Sequence, residues 1–323
     1  MTIPDYGPAD VLKLQDQPKP TPGDDDLLLE VHASALNPVD YKIRSGKFRA
    51  PRDLPIIPGF DVSGVVTGMG DNVQGFKEGD AVYAMPSVFR NGAHAEYVTV
   101  DHRTAARKPT NLDHATAALL PLVTITAWEA VHTRCRLHHG ETILIQGGAG
   151  GVGHIAIQLA KTHGCRVLAT AGHDESIALC EQLGAEVINY QQETVPEAVK
   201  ARTDGRGCDV VLDCVGGDVF AQSLPCVAPE GRLATIVGVP PETDLSPLFL
   251  LHGSLHTVFV GAADMYQTGL SRHGSILQTA AELADADKLK PHLFKTYPLA
   301  DLAEAHTQQE TQRTVGKIGI AVR

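Results

Sequence analysis

The sequence predicts two units of different class, one all-β and one doubly wound α/β, and three observations carry that prediction. Short β-like runs separated by turn signals fill residues 1 to about 120, and strands then alternate with helical stretches. A glycine-rich loop joins the first of those later strands to its helix. A chain of 323 residues also has room for two domains of roughly 100–200 residues each.

In the first unit the β runs are Asp26 to His32, Asp61 to Thr67, Asp80 to Ala84 and Glu96 to Val100. Turn signals such as Gly68-Met69-Gly70-Asp71-Asn72 and Glu78-Gly79-Asp80 separate them at short intervals, the pattern of an antiparallel, barrel-like unit. Between the first two runs, Asn37 is placed as an N-cap, Pro38 as the first helical residue, Asp40 in the first turn and Gly46 past the end of a short helix. Leu112 to Cys135 reads as helix interrupted at Pro121. Its most apolar part, Ala115 to Trp128, falls short of the roughly 20 residues that a membrane span needs, so no span is expected.

The alternating region offers strands at Thr142 to Gln146, Arg166 to Ala171, Glu186 to Tyr190, Asp209 to Cys214, Arg232 to Val237 and Thr257 to Val260. Helices are expected between them, for instance Gly151 to Thr162 and Glu175 to Leu183, where Ile177, Leu179, Cys180 and Leu183 make one buried face. Six such strands with crossover helices make a doubly wound parallel sheet. After about residue 262 a helix near Gly274 to Ala286, a Pro-punctuated stretch, a short helix from Leu299 and a last β run, Lys317 to Val322, are left to rejoin the first unit. The expected division is therefore 1–120 plus 262–323 for one domain and 121–261 for the other.

Gly147-Gly148-Ala149-Gly150-Gly151-Val152-Gly153 contains GxGxxG at Gly148, Gly150 and Gly153, between the strand TILIQ and the helix HIAIQLAK. Glycine is needed there because a Cβ would block the turn and hold the backbone away from a pyrophosphate, which the helix N-terminal N–H groups then meet. A glycine turn without a ligand is the plain alternative, and the strand and helix on either side favour the dinucleotide. The second strand ends in Thr170-Ala171-Gly172 with no carboxylate for a ribose 2′-hydroxyl, which favours NADP(H). Asp174 and Glu175 keep NAD(H) open, although acidic residues also suit the first turn of a helix.

Composition closes off other classes. With 27 Lys and Arg against 38 Asp and Glu the net charge is −11, and no basic run of four or more occurs, so a nucleic-acid partner is not expected. The opening MTIPDYGPAD lacks the charge and apolar pattern of a secretory signal, giving a cytoplasmic expectation. All six cysteines lie between Cys135 and Cys226 with no CxxC pair, which leaves no cysteine-rich zinc lobe in the N-terminal part. His138 with His139, and His252 with His256, are spaced as metal ligands can be, but no third ligand accompanies them.

Seven segments together, YGPADVLKL, ALNPVDYKIRSG, PGFDVSGVV, the glycine loop, AEVINY, DVVLDCVGG and VGKIGIAV, resemble the medium-chain dehydrogenase/reductase superfamily, in its zinc-independent, zeta-crystallin-like quinone oxidoreductase branch. The resemblance covers nearly the whole chain. It implies a Rossmann domain with a six-stranded parallel sheet, inserted in a GroES-like β-barrel catalytic domain. Zinc-dependent relatives carry Cys and Gly-His-Glu where this chain has Asn37 and Gly59-Phe60-Asp61, so no catalytic zinc is expected.

The same resemblance assigns site residues. Asn37, Lys42 and Thr126 would face the nicotinamide or the substrate carbonyl; a cap, a solvated lysine and a helical threonine are their plain readings. Tyr41 and Phe48 would shape an apolar substrate pocket. Beside the glycine loop, Gly172, Ser176, Tyr190, Gly216, Gly238, Val239, Phe259, Val260 and Gly261 would line the cofactor. Tyr190 matches a contact to the 2′-phosphate, while Ser176 stands where the family usually has lysine. The implied reaction is hydride transfer from NADPH to a quinone or an α,β-unsaturated carbonyl, with a non-catalytic NADP(H)-binding sensor and an alcohol dehydrogenase as alternatives. The apolar run Leu248 to Val260, ending in an expected edge strand, points to a homodimer.

Overall fold

The computed structural model describes residues 1–49 and 53–323. The chain divides into two compact units, Met1–Ile125 with Gly261–Arg323, and Thr126–Val260. In the first unit β1 (Asp26–Ala35) leads into α1 (Pro38–Arg44), followed by β2 (Val62–Met69), β3 (Ala81–Ala84), β4 (Tyr97–Asp101), β5 (Ala105–Arg107) and α2 (His114–Ala117). One edge of β1 pairs with β2 and the other with β4 along Asp26 to Glu30. This explains why Leu27, Leu29 and Val31 are fully buried. α3 (Pro121–Trp128) follows and runs into a π-helical turn at Glu129–Arg134. On length and composition the helical stretch His114–Arg134 could cross a membrane, but 72% of its apolar window is buried inside the protein, as in a core helix.

The central unit holds β6 (Thr142–Gln146), α4 (Gly151–Thr162), β7 (Arg166–Ala171), α5 (Asp174–Gln182), β8 (Glu186–Asn189), α6 (Val195–Arg202), β9 (Cys208–Asp213), α7 (Asp218–Ser223), β10 (Val227–Thr235), α8 (Ser246–Leu250) and β11 (Ser254–Thr257). The six strands form one parallel sheet in the order β11-β10-β9-β6-β7-β8. That is the doubly wound Rossmann arrangement, with the order reversing between β6 and β9 and the helices as crossovers. Leu144, Leu168, Val211 and Leu233 of four neighbouring strands, with Phe220 of α7, make its core.

The chain then returns through α9 (Ala262–Tyr266), α10 (Leu270–Asp285), β12 (Leu293–Pro298), α11 (Leu302–Glu310) and β13 (Lys317–Ala321). β13 pairs antiparallel with Ala33, Ser34 and Ala35 at the far end of β1, so both ends of the chain build a seven-stranded sheet.

Three expectations need correction. The last strand of the parallel sheet is Ser254–Thr257, not Thr257 to Val260, so Phe259, Val260 and Gly261 follow the strand instead of ending it. The Val258 N–H still bonds the Thr235 carbonyl at 2.9 Å, after which the chain leaves the sheet and Phe259 is left about half exposed; apolar character alone does not imply strand pairing. The Pro-punctuated stretch contains β12, with Pro298 at its end on the sheet edge, where a missing N–H costs no ladder bond. The helix expected from Gly274 starts a turn earlier, at Leu270.

Candidate functional site

In the central unit the glycine loop is shaped by Thr170 at the end of β7. Its hydroxyl accepts the Gly147 N–H at 2.9 Å and its carbonyl accepts the Gly148 N–H at 3.0 Å. Gly147 has a φ of +72°, which favours glycine. A Cβ on Gly153 would stand 2.2 Å from the Gly147 carbonyl oxygen, and one on Gly148 2.8 Å from the Ala169 Cβ. These two glycines therefore let α4 close onto the sheet. Gly150 caps α4 without a side chain, and the first-turn N–H groups, those of Gly151, Val152 and Gly153, have no intrahelical acceptor. Ala149 is buried beneath the loop. This cradle fits the pyrophosphate of a dinucleotide.

The other strand ends complete that rim. A Cβ on Gly172 would lie 2.3 Å from the Tyr190 ring, so glycine lets the half-exposed tyrosine cover the end of β7. Ser176 is half-buried in the first turn of α5, behind the exposed Asp174 and Glu175. Asp213, fully buried at the end of β9, accepts the N–H groups of Val215 and Gly216 at 3.0 and 2.9 Å and the Thr235 hydroxyl at 2.9 Å. Thr235 in turn accepts weakly from Val237 and Gly238. Asp213 and Thr235 thus shape the turns at Gly216 and Gly238, roles that the residue pattern did not reveal. Val239 packs on the core of this unit. Val215, Val237 and Phe259 leave large exposed side chains beyond three adjacent strand ends, β9, β10 and β11, where a parallel sheet binds its ligand.

The terminal unit contains a buried charged cluster. Asn37, Asp40, Asp61 and Lys317 are each at most 3% exposed. The Lys317 ammonium donates to the Leu36 carbonyl at 2.8 Å, to Asn37 Oδ1 at 2.6 Å and to Asp61 Oδ2 at 2.9 Å. Asn37 Nδ2 donates to Asp61 Oδ2 at 2.8 Å, and the Leu122 N–H of α3 donates to Asp61 Oδ1 at 2.7 Å. Asp40 accepts the Asn37 and Gly59 N–H groups, both at 2.8 Å. Burial raises the Asp61 carboxyl against the opposing pull of Lys317, and raises Asp40 to about 7 against the N–H groups that favour its charged form. Asn37 therefore begins α1, as expected of a cap residue, while its amide is held by residues 24 and 280 positions away.

The residues that α1 presents outward differ in accessibility. Tyr41 and Lys42 are half-buried, and a turn at Gly46 folds Phe48 back so that its N–H bonds the Lys42 carbonyl at 2.9 Å. Phe48 packs against the core of this unit. Among the described residues no carboxylate pairs with the Lys42 ammonium; burial, and then the neighbouring Lys47, lower its pKa. Thr126 is 5% exposed on α3, in the central unit. A separate polar basin of about 520 Å³ is lined by Ser87, Phe89, Arg90, Asp101, Arg103 and Asp264 among others. Both its arginines are bonded to carboxylates, Arg90 to Asp26 and Arg103 to Asp101.

Residues 23–110 match the alcohol dehydrogenase GroES-like domain family, and residues 151–274 match the zinc-binding dehydrogenase family. The chain is 32% identical to the quinone oxidoreductase of Rattus norvegicus over 98% of its own length and 94% of that protein. The chain belongs to the medium-chain dehydrogenase/reductase superfamily, in its quinone oxidoreductase branch. It is 33% identical to the chloroplastic NADPH-dependent alkenal/one oxidoreductase of Arabidopsis thaliana over 97% of the chain and 77% of that protein. A mycobacterial protein solved in complex with NADPH has a TM-score of 0.89 and 30% identity, each chain covered to 99%.

The second family carries zinc in its name, but the residues of this medium-chain dehydrogenase/reductase member do not fit zinc at the Asn37 position. An amide, one carboxylate and a lysine ammonium meet there, and the ammonium is already the cation against Asp61. Among the described residues no three His, Cys, Asp or Glu side chains gather as a metal centre would require.

Proposed function

We propose that the chain is an NADPH-dependent reductase that transfers hydride to a quinone or to the β-carbon of an enal or enone. The central unit is the cofactor domain, and the unit made from both chain ends is the catalytic domain. Family membership supports a redox role, and the carboxylate-free end of β7 supports NADPH. Ser176, Asp174 and Glu175 supply no cation for the 2′-phosphate, so Tyr190 and the backbone carry most of that recognition. The observation that carries the reaction class is Lys42, a half-buried ammonium with no carboxylate partner among the described residues.

Bound NADPH supplies the hydride. The N–H groups of Gly151 to Gly153 meet the pyrophosphate, Gly216 and Gly238 let the backbone approach, and Val215, Val237 and Phe259 exclude water from the strand ends. As hydride reaches the substrate, negative charge gathers on its carbonyl oxygen, where Lys42 donates a hydrogen bond. Asn37, with its amide held by Asp61 and Lys317, serves that step by holding α1, and Thr126 orients the nicotinamide. Tyr41 and Phe48 border the apolar part of the substrate. A proton from solvent completes the reduction. A homodimer is formed through β11, beside which Phe249 and Leu250 of α8 are 84% and 81% exposed; a dimeric mass by light scattering is expected, and a monomeric one discards it.

The deciding experiment measures NADPH and NADH oxidation with quinones, enals and enones, for the wild type and Lys42→Ala. Turnover with NADPH is expected, reduced by about 10²–10³ in the variant. Cofactor binding without turnover on any acceptor moves the reading to a non-catalytic sensor. Normal turnover by Lys42→Ala removes this lysine from the mechanism.

A further inference from the structure

Lys317 opens β13 within an apolar run, next to the fully packed Ile318 and three residues before the buried Ile320. Packing alone gives no reason for a lysine there, since a buried charge is costly unless it is paired and hydrogen-bonded. All three ammonium hydrogens are used, on the Leu36 carbonyl, Asn37 Oδ1 and Asp61 Oδ2. Two of these acceptors belong to the residues that enter α1. The third also receives the Asn37 amide N–H, so the amide has one orientation only; flipping it would set its NH2 against the ammonium and its oxygen against the carboxylate.

Replacing a buried ion pair by apolar side chains often leaves stability unchanged or improved, so the distinct contribution of this pair is orientation. α1 has seven residues, too few to hold its register without fixed ends. Its C-terminal end is set by the Gly46 turn, its N-terminal end by the Asp40 carboxylate on the Asn37 N–H together with this clamp on Leu36 and Asn37.

We propose that Lys317 is a positioning residue, which fixes the start of α1 and thereby the direction in which Tyr41 and Lys42 leave that helix. Its kinetic consequence rests on the reductase reading. Its structural consequence does not.

Three variants test it: Lys317→Met, Lys317→Arg, and Asp61→Asn with Lys317→Met, which removes both charges of the bonded pair. In Lys317→Met we expect kcat for acceptor reduction to fall about tenfold or more while KM for NADPH stays within about threefold, because the cofactor cradle is elsewhere in the chain. Hydrogen exchange of the Tyr41 to Arg44 amides should quicken about tenfold, with α4 unaffected. Lys317→Arg should recover most of both, and the double variant should regain stability without regaining kcat or protection of α1.

If Lys317→Met does not fold, the double variant decides. Wild-type kcat and wild-type exchange in α1 for either methionine variant overturn the proposal, and so does equal loss of protection in α1 and α4, which marks general destabilisation. Should the wild-type protein reduce no acceptor, the reductase reading fails, while the exchange comparison still decides the role of Lys317.

Discussion

In the central unit the N–H groups at the start of α4 are left open to an anion, whereas in the terminal unit the carboxylate of Asp61 is met by side chains from β13 and from the entry to α1. The first arrangement is local. Gly147 to Gly153 are consecutive, and the strand and helix beside them fix their geometry. The second joins Asn37, Asp61 and Lys317, and exists only when three distant segments have folded together. A backbone site loses function when a Cβ is added; a charged side-chain cluster fails when one partner is removed.

The largest effect should follow from breaking the cluster on one side only. Asp61→Asn leaves the buried Lys317 ammonium without its bonded carboxylate, and is expected to cost about 3–5 kcal/mol in urea unfolding. A loss within experimental error would mean that the ammonium finds water and that the cluster is not sealed.

A pH effect of intermediate size comes from the same unit. Burial, and then Arg44, depress the His306 imidazole from 6.5 to about 3, so the folded protein holds it neutral where the unfolded chain would protonate it. The depressed folded pKa means that its contribution is complete above about 6.5 and is lost as pH falls toward 3. Between pH 7.5 and 4.5 the wild type should lose about 2–3 kcal/mol more than His306→Leu in denaturant titrations. Equal losses would show that His306 is protonated with little penalty. Asp40 acts in the opposite sense: raised to about 7, it favours the fold at acidic pH and ceases to do so as pH rises through that value.

The smallest stability effect, with a large functional one, is expected from Gly153→Ala. Its Cβ meets the Gly147 carbonyl, so the loop must shift, costing about 1–3 kcal/mol. Calorimetry should show NADPH binding weakened well beyond that of a control such as Gly68→Ala, where the added Cβ would meet only the Leu28 side chain at 3.6 Å, an ordinary contact. Unchanged binding would separate the glycine cradle from the cofactor.

Much of this fold was legible from local pattern. The alternation of apolar runs located five of the six parallel strands, and Pro121 marked the helix break, because both signals depend on neighbouring residues alone. β12 was hidden because its edge position tolerates the prolines that argued against it, and β11 was displaced because Phe259 is apolar yet exposed. In the site, Asp213 and Thr235 carried only a weak signal, as hydrogen-bonding residues just before glycines.

By itself the sequence determined the class of each unit, the glycine turn between β6 and α4 and the helix that begins at Asn37, since these follow from backbone geometry, period and capping within a few residues. Only the tertiary structure decided that the Asn37 amide is fixed by Asp61 and Lys317 and that Lys42 has no carboxylate partner among the described residues. The reason is physical: whether a charge is paired depends on which distant side chains share its burial, and no local spacing records that.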